Sequence, residues 1–151
     1  MSAAPSTTPT FSPQILGQTE KALNAILARE LAGTGLTEPQ WVTLTMTVAG
    51  GGTADGDQLV ARVAGVLKVG EAEARARITE LAAAQLLHVP GDAAAPVTVT
   101  DAGQQLHGRI RSAVTEITQR MWGDLPAEDL ATAGRVLSIV LARADGELAV
   151  A

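Results

Sequence analysis

Apolar and polar positions alternate along this chain with periods that change from segment to segment, and the changes mark out its elements. Ile15, Leu16, Ala22, Leu23, Ile26, Leu27 and Leu31 fall at helical spacing after Ser12-Pro13, a capping serine followed by a proline suited to the first helical position. Gly33-Thr34-Gly35 ends that segment. Thr37 then predicts the cap of a second helix, with Gln40 completing a capping box and Trp41, Leu44, Met46 and Val48 following. This second segment is rich in β-branched residues, so a strand competes with a helix there. Gly50-Gly51-Gly52 closes it, and the pattern predicts a loop as far as Asp57.

From Asp57 to Gly103 the spacing predicts helix, tight turn, helix, short strand, turn, short strand and the start of another helix. Asp57 is placed to cap the first of these, which carries Leu59, Val63, Val66 and Leu67. Gly70 in Lys68-Val69-Gly70 permits the backbone angles that a turn between helices needs. Ala74, Ile78, Leu81 and Gln85 lie down one face of the next helix. Leu86-Leu87-His88-Val89 and Pro96-Val97-Thr98-Val99-Thr100 read as strands around Gly91-Asp92-Ala93-Ala94-Ala95. Thr100 or Asp101 caps a long helix reaching Gly123, with Leu106, Ile110, Val114, Ile117 and Met121 in register. Pro126 starts a last helix that ends near Asp145-Gly146. The fold class is therefore mostly α with a small β-hairpin wing, a winged helix-turn-helix flanked by N- and C-terminal helices.

Three segments resemble the MarR family of bacterial transcriptional regulators. Leu36-Thr37-Glu38-Pro39-Gln40-Trp41 is similar to the start of that family's second helix. Ile78-Thr79-Glu80-Leu81 through Leu86-Leu87 is similar to the end of its recognition helix and the strand that follows. Val99-Thr100-Asp101-Ala102-Gly103 is similar to its signature after the wing. The likeness covers about residues 13 to 145. Residues 1–11 are rich in Ser, Thr, Pro and Ala and read as a flexible tail; the likeness implies one MarR-like domain over residues 12–146. Within that domain the winged part spans about 37–103, and dimerisation helices span about 12–32 and 101–144.

The resemblance also implies chemistry. The recognition helix would enter a DNA major groove, with Lys68, Arg75, Arg77 and Thr79 as its contacts. A small aromatic effector would sit near Trp41, Met46, His107 and Arg111, and a homodimer would bind a pseudo-palindromic operator. Composition qualifies this picture. The net charge is −5, and between Thr53 and Thr100 four bases stand against six acids, a local charge of −2. The segment between the two wing strands has no arginine to reach a minor groove, and Glu71 and Glu73 stand where phosphates would approach. Arg75 and Arg77 equally suit a solvated helix face paired with Glu71, Glu73 and Glu80. A MarR-fold dimer that binds a small molecule without binding DNA is the alternative reading.

An enzyme is the third reading. The residues offered for it are His107, Arg109, Arg111 and Glu116 on one helix, with serine and threonine as the available nucleophiles and no Ser-His-Asp spacing. No catalytic residue, metal ligand set or cofactor motif is assigned. Zero cysteines exclude disulfides and thiolate metal sites. Hydrophobic residues at 46% with no membrane-length run, and no charged-then-apolar leader, predict a soluble, cytoplasmic protein.

Overall fold

The computed structural model describes residues 8–92 and 95–150, so residues 1–7 of the predicted tail, and Ala93 and Ala94 of the wing turn, lie outside the described residues. Among the described residues six helices and three short strands follow one another: α1 (Pro13–Leu31), α2 (Glu38–Ala49), β1 (Thr53–Ala54), α3 (Gly56–Leu67), α4 (Glu71–Ala83), β2 (Leu87–His88), β3 (Val97–Val99), α5 (Asp101–Trp122) and α6 (Ala127–Ala149). The chain divides into two compact units, one up to Val114 and the other from Thr115 onward. The division falls within α5.

Local chemistry explains most of the boundaries. Ser12 Oγ accepts from Ile15 N at 3.3 Å at the start of α1. In α2 the capping box is complete: Gln40 N donates to Thr37 Oγ1 and Thr37 N donates to Gln40 Oε1, at 3.5 and 3.0 Å. The β-branched run does not turn α2 into a strand. Two of its threonines are fully buried, and each hydroxyl donates to the carbonyl one turn back, Thr43 to Pro39 at 2.8 Å and Thr47 to Thr43 at 2.9 Å. Their polar groups are thereby satisfied inside the core, which a helix permits and which removes the penalty of burying them.

Three local expectations change. Asp55, not Asp57, caps α3, accepting from Gln58 N at 3.0 Å, because the helix begins two residues earlier than the apolar spacing alone indicates. Gly70 has an ordinary φ of −74°. The left-handed residue in that turn is Lys68, with φ 58°, whose ammonium donates to Gly65 O at the end of α3 at 2.8 Å. That contact places a cation at a helix C-terminus, where exposed carbonyls favour it. The last helix also runs to Ala149, past Asp145-Gly146.

The predicted wing hairpin supplies two strands of a three-stranded antiparallel sheet, ordered β1-β3-β2. Leu87 faces Val99 and His88 faces Thr98 on one side of β3, while Thr53 faces Thr98 and Ala54 faces Val97 on the other. β1 lies in the segment whose pattern predicts a loop; two residues are too few to show an alternation. Thr100 settles the start of α5. Its hydroxyl accepts from Gly103 N at 3.0 Å and donates to Gln85 O at 2.7 Å, so one side chain caps the helix and ties it to the end of α4. Gly103 is required here: a Cβ at that position would lie 2.2 Å from Leu86 O.

The unit up to Val114 holds two apolar clusters. The first joins Leu44 of α2, Leu59, Val60 and Val63 of α3, Ala74, Ile78 and Leu81 of α4, Leu86, Leu87 of β2 and Val97 of β3. It fastens the helix-turn-helix to the wing. The second is smaller and joins Leu31 of α1, Trp41 of α2 and Ile110 of α5, with Leu27, Leu36, Leu106 and Val114 around them. In the other unit, α6 has no buried residue, and Val136, Leu137, Ile139, Leu141 and Leu148 are all exposed.

Candidate functional site

The first candidate surface is the outer face of α4. Burying Ala74, Ile78 and Leu81 turns Arg75 and Thr79 outward. Arg75 Nη2 meets Asp57 Oδ1 at 3.5 Å, with both side chains largely in water, a contact of little strength that a competing anion displaces. Lys68 is also exposed, at the turn before α4. Glu71 and Glu73 occupy the first turn of α4, and its N-cap, Gly70, offers no side-chain hydrogen bond. The two carboxylates therefore stabilise the positive end of the helix while opposing phosphates at the same place.

Arg77 is held differently. Its Nη2 donates to Glu80 Oε1 at 2.9 Å, and the arginine side chain is 28% exposed. Glu80 Oε2 in turn accepts from Gln40 Nε2 at 2.8 Å. The hydrogen bond from Gln40, with the charge of Arg77, holds the Glu80 carboxyl below its ordinary range against the opposing effect of burial. Arg77 Nε is buried without a hydrogen-bond partner. The sequence offers Arg77 and Glu80 as an i,i+3 pair; the link to Gln40, forty positions away, has no local signal beyond the capping role of that glutamine.

The second candidate site is the Trp41–His107 pair. The two rings stack with centroids 4.9 Å apart and planes inclined by 19°. Periodicity places His107 at the edge of an apolar face, yet it is only 5% exposed, because the indole covers one side of the imidazole. Its Nε2 is buried without a hydrogen-bond partner. Burial, and then the charge of Arg111 one turn on, favour the neutral ring and lower the His107 pKa. Arg111 itself is exposed. Met46 packs against the first cluster.

An open groove of about 1430 Å³ is lined by Glu30 at the end of α1 and Thr34 of the turn after it, by Leu86, and by Leu106, Arg109 and Ser112 of α5. None of Trp41, Met46, His107 and Arg111 lines it. Periodicity could not have disclosed this groove, since its walls come from distant segments and its polar residues form no motif. Among the described residues no group of three or more His, Cys, Asp or Glu could hold a metal ion, and no helix is long and apolar enough to cross a membrane.

No protein-family profile matches the chain, and no curated protein sequence matches it significantly. Solved structures do. A MarR family transcriptional regulator from Silicibacter pomeroyi is 19% identical, with a TM-score of 0.73 over 93% of this chain and 96% of that one. NadR in complex with 4-hydroxyphenylacetate is 20% identical, with a TM-score of 0.71 over 89% of this chain and 98% of that one. A MarR family protein of Mycobacterium tuberculosis in complex with salicylic acid is 22% identical, with a TM-score of 0.59 over 83% and 94%. With its mostly helical build and small three-stranded antiparallel sheet, the chain has the winged-helix fold of the MarR family of transcriptional regulators.

Proposed function

We propose that this chain belongs to the MarR family and is a cytoplasmic, ligand-responsive transcriptional regulator that binds a pseudo-palindromic operator as a homodimer. The observation that carries the reading is α4, which buries Ala74, Ile78 and Leu81 against the winged core and presents Arg75 and Thr79 outward. That is the arrangement a recognition helix needs to bring donors to base edges. Lys68 supports it with a phosphate contact. The apolar face of α6 supports the dimer, since a helix exposing five large aliphatic side chains has a face that a second copy can cover. Trp41 and His107 support an aromatic effector: a flat acid or phenol that displaces the stack would meet the unpartnered His107 Nε2, with Arg111 one turn along the helix. The two ligand-bound relatives hold molecules of that chemistry. Arg77 serves to position α4.

The local charge of −2 and the engagement of Arg77 by Glu80 favour a second reading, a dimer that binds the small molecule without DNA. One titration separates the two. At low salt, the chain's own upstream sequence is compared with a scrambled duplex. Specific, salt-dependent binding that Arg75→Ala weakens by about 1–3 kcal/mol is the regulator's result. A folded dimer that binds neither duplex, but whose tryptophan emission changes with salicylate or 4-hydroxyphenylacetate, is the second reading's result.

A further inference from the structure

Gln40 is engaged on both sides of its amide. The oxygen closes the capping box of α2, and the nitrogen reaches across to Glu80 on α4. The next residue, Trp41, stacks on His107. One turn of one helix thus holds the cap, the bridge to α4 and the indole of the second cluster. Glu80 joins Gln40 to Arg77 through its two carboxylate oxygens, and the buried, unpartnered Nε of Arg77 makes Glu80 its principal anchor. These are charge-assisted bonds at the start of α2, away from the aliphatic centre of the α2–α4 contact, and such bonds weaken steeply when donor and acceptor separate.

We propose that Gln40, Glu80 and Arg77 form a latch that fixes α4 against the first turn of α2, so that a change at the Trp41–His107 stack is passed to the outward face of α4. The purpose of the latch rests on the regulator reading; its mechanics do not. Because the capping box makes the first turn of α2 rigid, a displaced Trp41 carries Gln40 with it. Glu80, which keeps Arg77 on its own helix, then loses its partner on α2, and α4 is free to shift by the small distance that separates a base contact from a miss.

The test is amide hydrogen exchange on the full chain. Gln40→Glu keeps the capping box, because glutamate serves there as well as glutamine, but it sets a carboxylate against Glu80. Exchange of α4 amides should rise about tenfold in this variant while α3, in the same core, stays unchanged. Gln40→Glu combined with Glu80→Gln restores an amide–carboxylate pair in reverse and should return α4 to the wild-type rate. Glu80→Ala, which removes the bridge from a half-exposed position and leaves α2 intact, should reproduce the rise if Gln40→Glu fails to fold. Trp41→Phe should raise α4 exchange in the wild-type background and add nothing to Gln40→Glu. Unchanged α4 exchange in Gln40→Glu and Glu80→Ala, a double variant no better than the single, or an additive effect of Trp41→Phe overturns the latch. With a wild-type chain that binds DNA, Gln40→Glu should weaken binding about tenfold and the double variant should restore it. A wild-type chain that binds no DNA refutes the regulator reading, and the exchange pattern still decides the latch.

Discussion

The winged core and the last helix carry the same kind of apolar repeat and treat it in opposite ways. In the core, Leu44, Leu59 and Leu81 are completely buried; on α6, Leu137, Leu141 and Leu148 are 44%, 57% and 71% exposed. Composition does not explain the difference, since leucine at helical spacing serves both. In the core, α2, α3, α4 and the sheet close around one another within a single copy of the chain. The apolar face of α6 remains uncovered, and under the proposed dimer a second copy covers it. The winged part is thus self-sufficient, and the long C-terminal helix is where the reading of function depends on association.

The largest effect that would break this comparison is in the core. Leu81→Ala leaves a cavity where no neighbour can collapse freely, and chemical denaturation should register a loss of about 2–5 kcal/mol. Gly103→Ala should also destabilise, by about 1–3 kcal/mol, because its methyl would push the start of α5 off Leu86 O; a neutral result would mean that the wing and α5 are less tightly joined than described. On α6, the pair Leu137→Asp and Leu141→Asp should leave circular dichroism and the winged core intact while light scattering reports monomer. A wild-type chain that already runs as a monomer at micromolar concentration would remove the dimer reading altogether.

Smaller effects sharpen the contrast within the winged unit. The neutral form of His107 is favoured in the folded chain, so the unfolded chain takes up a proton first as pH falls below the ordinary value of 6.5. The contribution of His107 is therefore complete above that pH and declines below it, until the folded ring also protonates. His107→Gln should flatten this part of the stability–pH curve. Glu80 acts in a separate window: its lowered pKa supports the fold above 4.5 and loses that contribution only as pH falls further. The smallest change should come from Asp57→Asn, since the exposed pair with Arg75 contributes on the order of 0–1 kcal/mol to stability. A larger loss would show that Arg75 is fixed against α3 and not available to a ligand.

The order of helices, the two-helix turn, the strands flanking the wing and the caps at Ser12 and Thr37 are all legible in the sequence, because each rests on spacing within a few residues, while the choice of Thr100 over Asp101 rests on its bond to Gln85 O. The outward position of Arg75 and Thr79 follows from the same local periodicity, once Ala74, Ile78 and Leu81 are assigned to the core. Lys68 in the left-handed region, in place of Gly70, was not legible, since the turn's geometry depends on where α3 ends and how its last carbonyls are satisfied. Nor was β1, whose two residues owe their conformation to pairing with β3, forty-odd positions away.

The candidate site divides along the same line. By itself the sequence determined which segments are helical, which face of each is apolar and that the charge near α4 is unfavourable to phosphates, because these are properties of neighbouring residues. Only the tertiary structure decided that His107 is buried under Trp41, that Met46 belongs to the other cluster and that Arg77 is held through Glu80 by Gln40. The two long-range contacts among them join residues 40 and 66 positions apart, and packing that brings distant helices together has no signature in the spacing along any one of them.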